Sequence, residues 1–250
     1  MEEVPVTMPD LGGRRVLITG AAQRLGAVIA RAFADLGAAV VVHCFRSKGD
    51  AEKLVASLPA CPAPFKHEVV SCDLADLDAV RRMAEGVGPV DGLVNNAAMW
   101  IRGDAPQSEL DRQETVNHLA PVELIRLFAR MRPQARELSA VNILDAATLS
   151  GAAPASPYEA AKAAFRRDTL TLARGLAPYV RVNAVAPGPV FPPRELGGAG
   201  MKHIPATLPL ERPVAPEDVA RAVVFLASAP SVTGAVLPVD CGQSLLFQQP

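Results

Sequence analysis

Short apolar runs alternate with amphipathic stretches along almost the whole chain, regularly enough to name the elements they predict. The first run, Arg15-Val-Leu-Ile-Thr19, leads through a glycine-bearing turn into a stretch from Leu25 to Leu36 with helical spacing. Gly37 follows it, as a helix-ending glycine should. The pattern next predicts a strand at Ala39–His43, a helix over about Asp50–Leu58, a strand near His67–Val70 and a helix near Asp76–Glu85. A strand at Asp91–Val94 precedes a longer helix around Leu110–Met131. A strand at Ala140–Leu144 then precedes a helix from about Pro157 to Leu176. The series ends with a strand at Val180–Val185, a helix over Pro216–Ser228 and a strand at Ala235–Val239.

Strands that are continuously apolar and separated by helices belong to a parallel sheet covered on both faces. The expected fold class is therefore α/β, a seven-stranded doubly wound parallel sheet with helices on both faces. With no repeat and no linker, residues 1–250 read as a single domain. One segment breaks the rhythm. Between Pro187 and Pro216 the chain is rich in proline and glycine, and a stretch of that kind reads as a lid (about 188–215) or as a surface excursion.

Composition narrows the function classes. Half the chain is hydrophobic and a fifth charged, and the net charge of −1 gives neither a basic field for nucleic acid nor a solvating acidic tail. Cys44, Cys61, Cys72 and Cys241 form no C-x-x-C pair and no zinc-like spacing, which predicts free thiols in a reducing compartment. The N-terminal MEEVPVTMPDLGG is acidic where a signal peptide would be basic and then apolar. No apolar run approaches the roughly 20 residues of a membrane span. The expectation is a cytoplasmic protein with a small-molecule partner, no nucleic acid, no membrane and no metal. His43, His67, His118 and His203 show no ligand spacing and read as structural.

The turn Thr19-Gly-Ala-Ala-Gln-Arg-Leu-Gly26 joins the first strand to the first helix. Glycine there lets backbone approach a pyrophosphate, and the helix N-terminus offers N–H groups and the positive end of its dipole. A tight strand–helix turn without a ligand is the plain alternative. Further on, Tyr158 and Lys162 stand four residues apart and share one face of a helix.

From about Arg14 to Leu245 the chain resembles the short-chain dehydrogenase/reductase family, whose members have a Rossmann fold. The resemblance rests on Thr19-Gly20…Gly26, Asn95-Asn96-Ala97, Asn117, Tyr158-x-x-x-Lys162 and Pro187-Gly188 after a strand, in that order. Arg24 stands where the family's turn usually carries a glycine. The form Thr-Gly-Ala-Ala-x-Arg-Leu-Gly is similar to the pteridine reductase branch (dihydromonapterin reductase included), in which that arginine lies beside the cofactor phosphates and faces the substrate. The resemblance implies dinucleotide contacts from Gly20, Arg24, Leu25, Gly26, Asn96, Ala97, Lys162, Pro187 and Gly188.

The second strand chooses the dinucleotide. An acidic residue at its end suits the ribose 2′-hydroxyl of NAD, and a basic one the 2′-phosphate of NADP. Here it reads Val41-Val42-His43-Cys44-Phe45-Arg46-Ser47-Lys48, with no carboxylate before Asp50, so Arg46 and Ser47 point to NADPH/NADP+. Arg46 and Lys48 as solvated loop cations are the alternative. Asp73 resembles the family's adenine-contacting aspartate or serves as a helix N-cap.

By resemblance, Tyr158 protonates the substrate as hydride arrives, Lys162 lowers the tyrosine's pKa and holds the nicotinamide ribose, and Asn117 helps order a proton-relay water. The family's usual serine, thirteen or so residues before the tyrosine, is replaced by Asp145. A carboxyl group there can share or deliver a proton if burial raises its pKa, and pteridine reductases resemble the chain in this too. A turn-capping Asp145 in an inactive or altered enzyme is the alternative.

Trp100, the only tryptophan, follows Asn96-Ala-Ala-Met and is placed to stack on a flat substrate or to pack under a loop. With Arg24, Asp145 and Tyr158 it makes the expected substrate set, to which Met99, Phe191 and Leu196 are added as further candidates. The leading expectation is an NADPH-dependent reductase of pterin or folate-type substrates acting on a C=N bond. The alternatives are a carbonyl reductase of the 3-oxoacyl-thioester type and a non-catalytic NADP-sensing module. An apolar C-terminal segment, Val236–Phe247, and the resemblance together imply a homotetramer.

Overall fold

A computed structural model of the chain describes residues 9–133, 137–191 and 207–247. Its elements are β1 (Arg15–Ile18), α1 (Arg24–Asp35), β2 (Ala39–Cys44), α2 (Lys48–Ser57), β3 (Glu68–Ser71), α3 (Leu77–Val87) and β4 (Gly92–Asn95). They continue as α4 (Gln107–Glu114), α5 (Ala120–Met131), β5 (Leu138–Ile143), α6 (Pro157–Gly175), β6 (Val180–Pro187), α7 (Pro216–Ser228) and β7 (Val236–Val239). The strands form one seven-stranded sheet in the order β3-β2-β1-β4-β5-β6-β7, with every pair parallel.

Alternation along each strand divides the core in two. Val16, Ile18, Val40 and Val42 face the layer holding Ile29 and Phe33 of α1 and Val219 and Val223 of α7. Leu17, Val41, Leu138 and Ala140 face the opposite layer, with Val80 of α3, Leu124 and Phe128 of α5, and Phe165 of α6. Helices on both faces explain why the strands are apolar at successive positions and not only at alternate ones. Gly37, at φ +87°, ends α1 and donates to the carbonyl of Ala34 at 2.9 Å. The chain order reverses between β1 and β4, so the crevice outside their carboxyl ends is the place where such a sheet binds ligands.

The single helix expected over Leu110–Met131 is in fact interrupted. A π turn at Thr115–Leu119 separates α4 from α5. Pro121 supplies the physical reason: it has no N–H, so the carbonyl of Asn117 is denied its α-helical donor four residues on. All four cysteines are free. No described helix is long and apolar enough to cross a membrane, and no metal-ligating cluster occurs among the described residues. Most of the 188–215 segment, Leu196 and His203 lie outside the described residues.

Candidate active site

The phosphate turn leaves β1 and is clamped by neutral groups. Thr19 Oγ1 accepts from the backbone N–H of Asn96 and of Ala97, each at 3.0 Å. Asn96 Nδ2 donates back to the carbonyls of Thr19 at 2.8 Å and Gly20 at 3.2 Å. Gly20 lies at φ +62°, and a Cβ on it would stand 3.0 Å from Ala97 Cα. A Cβ on Gly26 would meet the Gly20 carbonyl oxygen at 2.4 Å, which locks α1 against the turn. Leu25, half-buried beside it, packs on the core.

His43, expected to be structural, completes the clamp. The Gly20 N–H donates to its Nδ1 at 3.1 Å, so the proton sits on Nε2, which faces the Cys72 carbonyl at 3.1 Å. Burial pushes its pKa down to about 4 against the partial offset of that carbonyl. The only signal in the sequence was one polar residue inside an apolar strand.

The α1 N-terminus suits an anion. Its N-cap residue, Gln23, makes no side-chain cap hydrogen bond, and no acidic residue stands in its first turn. At the end of β2 the Arg46 guanidinium lies 4.8 Å over the Phe45 ring and is exposed. Ser47 occupies the N-cap position of α2 but makes no side-chain cap hydrogen bond. The first carboxylate after the strand, Asp50, accepts from Gln23 Nε2 instead of reaching the strand end. These residues fit a dinucleotide carrying a 2′-phosphate. Lys48 pairs loosely with Glu52 at 3.9 Å, and it and Arg46 are both exposed.

Asp73 corrects one alternative. The N-cap of α3 is Asp76, whose Oδ1 accepts from Asp78 and Ala79 N–H. Asp73 accepts from Ala75 N–H and from Arg112 at 2.9 Å. Burial works to raise its pKa, and these two donors outweigh it and hold the carboxyl below its ordinary value.

At the other end of the crevice, Ser156 Oγ accepts from Glu159 N–H, and Glu159 Oε2 accepts from Ala155 N–H. This reciprocal cap, with Pro157 at the first helical position, starts α6 and sets Tyr158 in its first turn. Lys162, one turn on, is buried and donates from Nζ to the Ile143 carbonyl at 2.8 Å. Asp145 caps a short turn through Ala147 N–H at 2.9 Å, and the Tyr158 hydroxyl lies near enough to its carboxyl for each to shift the other's pKa. Capping and contact with Tyr158 thus coexist, where the sequence had set them as alternatives.

Burial pushes the Tyr158 phenol up, and the Asp145 carboxylate pushes it further in the same direction. The Lys162 ammonium lies 6.0 Å from the ring centroid and is bound to a carbonyl. Burial raises the Asp145 carboxyl despite Ala147 N–H and Lys162, and lowers Lys162 to about 8 despite Asp145.

Asn117 is buried, and its amide is fully engaged with one residue. It accepts from Met99 N–H at 2.9 Å and donates to Met99 O at 2.6 Å. That grip holds the loop carrying Trp100, which is 53% exposed and so not packed beneath a loop. Arg24 opens α1 at φ +52°, its guanidinium carbon 5.1 Å from the centroid of the Phe191 ring. Pro187 ends β6 opposite Val239, and Gly188 N–H donates to the Val239 carbonyl at 3.1 Å. A Cβ on Gly188 would stand 2.9 Å from Asp240 Cα.

A parallel sheet in this order, a glycine turn on its first strand and a Tyr-x-x-x-Lys pair on its sixth helix define a nucleotide-binding oxidoreductase. The chain belongs to the short-chain dehydrogenase/reductase family, and the family model described as enoyl-(acyl carrier protein) reductase matches residues 20–244. It is 34% identical over 245 residues to L-xylulose reductase of Bos taurus, covering 93% of this chain and 97% of that protein. To galactitol 2-dehydrogenase of Rhizobium johnstonii it is 34% identical over 249 residues, covering 93% and 95%. Among solved structures it is similar to FolM alternative dihydrofolate reductase 1 from Brucella canis complexed with NADP, with a TM-score of 0.84 and 30% identity, covering 97% of this chain and 98% of that one.

Proposed function

We propose that the protein is an NADPH-dependent reductase of pterin or folate-type substrates, reducing a C=N bond with Tyr158 as proton donor. The observation that carries this reading is the Asp145 carboxyl beside the Tyr158 hydroxyl, where the family usually has a serine. The similarity to a FolM dihydrofolate reductase bound to NADP supports it.

In this reading Gly20, Leu25 and Gly26 hold the pyrophosphate, Arg46 and Ser47 the 2′-phosphate, Asp73 the adenine, and Lys162 the nicotinamide ribose. Asn96 and Ala97 support the turn, and Pro187 and Gly188 the nicotinamide end. The bound dinucleotide supplies the hydride that reaches carbon. The protein's part is the proton at nitrogen. The phenol keeps its proton at neutral pH and so is available as the acid, although its raised pKa makes it a weaker donor than a free tyrosine. Giving that proton up leaves a phenolate beside the Asp145 carboxyl, whose pKa burial raises, and the Lys162 ammonium balances the charge while the proton is restored from solvent. The carbonyl of Asn117, freed of an α-helical donor by Pro121, holds the water that returns a proton from solvent. Trp100 supplies an exposed flat face on which a pterin stacks, with Arg24 at the opposite wall. Exposed Phe225, Leu245 and Leu246 support self-association, here as a cytoplasmic homotetramer.

Carbonyl reduction is the second reading, favoured by the likeness to L-xylulose reductase. NADPH oxidation compared across dihydrobiopterin, dihydromonapterin, dihydrofolate, acetoacetyl thioester and L-xylulose separates the two. Asp145→Ser sharpens the test: dihydropterin reduction falls about tenfold or more, as loss of a general-acid partner requires. Ketone reduction that holds or rises in that variant, with no turnover of any pterin by the parent, overturns the pterin reading.

A further inference from the structure

Gln113 is the one buried residue of α4. Its Oε1 accepts from the backbone N–H of Ile101, and its Nε2 is buried with no hydrogen-bond partner among the described residues. An amide donor left unpaired in the interior costs stability, and a methionine would fill the same space without that cost. The bond to Ile101 is the one contribution of the carboxamide that an apolar side chain could not make.

That bond falls one residue beyond Trp100. Four positions after Gln113, Asn117 holds the main chain one residue before Trp100, accepting from Met99 N–H at 2.9 Å and donating to Met99 O at 2.6 Å. Two buried amides therefore fix the backbone on both sides of the tryptophan. The indole itself is 53% exposed, and among the described residues it makes no hydrogen bond and no stack with a cation. Two residues beyond Ile101 the loop meets the start of α6. A Cβ on Gly103 would stand 3.5 Å from Pro157 Cδ, and Tyr158 is the next residue. The clamped stretch thus ends beside the catalytic tyrosine. An aromatic wall whose backbone is already fixed loses less freedom when a ligand settles on it.

We infer that Gln113 is a positioning residue that, with Asn117, fixes the loop so that the Trp100 indole stands ready as a wall of the acceptor site. The inference rests on the reading that a flat acceptor is reduced beside Tyr158.

Trp100 is the only tryptophan, so intrinsic fluorescence reports on it alone. Gln113→Met keeps the length of the side chain and removes the acceptor, and Gln113→Glu keeps an acceptor oxygen at the same reach. In time-resolved anisotropy, Gln113→Met is expected to raise the amplitude of nanosecond motion of the indole about twofold, and Gln113→Glu to return it toward the parent. With dihydrobiopterin, KM rises about three- to fivefold in Gln113→Met, while kcat and the NADPH Kd stay within about twofold. The inference is overturned if the indole moves in Gln113→Met as in the parent, if KM is unchanged, or if kcat and NADPH binding fall in parallel. Should Gln113→Met not fold, hydrogen exchange of the parent decides. The Ile101 amide is expected to exchange about tenfold or more slowly, relative to its intrinsic rate, than that of exposed Asp104, and equal protection overturns the inference. A parent that reduces no dihydropterin refutes the acceptor assignment, and the anisotropy and exchange outcomes still decide whether Gln113 fixes Trp100.

Discussion

The two ends of the crevice open from the same edge of one sheet, yet opposite means hold them. At the phosphate turn every clamp is neutral: Thr19, Asn96 and a His43 that carries no charge join backbone to backbone, and glycines let the segments touch. At the acceptor end three ionisable groups meet, Lys162 buried and Asp145 and Tyr158 half-buried, and loss of solvent pushes each toward its uncharged form. The turn is a rigid frame whose geometry ignores pH near neutrality. The acceptor end stores its chemistry in proton positions that shift with small changes in charge. A binding site for a constant anion needs the first arrangement, and a proton donor needs the second.

The largest way to break this contrast is Tyr158→Phe. Removing the proton donor should lower kcat by about 10²–10⁴-fold while NADPH binds within twofold of the parent. A Tyr158→Phe enzyme of unchanged kcat would make the trio a structural cluster.

The frame has its own pH limit. His43 is neutral in the folded chain down to about pH 4, whereas in the unfolded chain it protonates near 6.5. Between those values the unfolded state holds the extra proton, so stability falls as pH drops through the window, by about 3 kcal/mol from this residue. Urea unfolding of the parent and of His43→Gln across pH 7 to 4.5 measures it as the slope that the variant lacks.

A smaller effect belongs to the neighbouring anion site. Arg46→Ala should weaken NADPH by about tenfold or more, the scale of a charge-assisted hydrogen bond, with NADH affected less than threefold. Equal losses for both dinucleotides would leave Arg46 without a role in choosing between them.

The mildest test reads the acceptor end by titration. Lys162 loses its proton as pH rises through about 8, so kcat/KM should be halved near that pH and fall about tenfold per unit above it. A profile flat to pH 10 would show that the ammonium is not needed.

Much of this was legible in one dimension. The apolar periods predicted seven strands and their helices, and most boundaries lie within a few residues of the observed ones. The four-residue spacing put Tyr158 and Lys162 on one face, and the missing carboxylate after β2 pointed to a 2′-phosphate. The break between α4 and α5 was written at Pro121 but hidden by an apolar pattern that runs straight through it. Asp73 as a helix cap was displaced by Asp76, three residues on and immediately before the first residue of α3, Leu77.

What local sequence determined is what depends on neighbours a turn or a strand apart: element type, helix caps, the glycine turn and the face shared by Tyr158 and Lys162. The tertiary structure alone decided which distant groups meet. It brought His43 under Gly20, set Asp145 and not Lys162 against the Tyr158 hydroxyl, and laid Arg24 on Phe191. Proton affinities follow from those meetings, because burial and the nearest charge are set by packing across the sheet and leave no period in the chain.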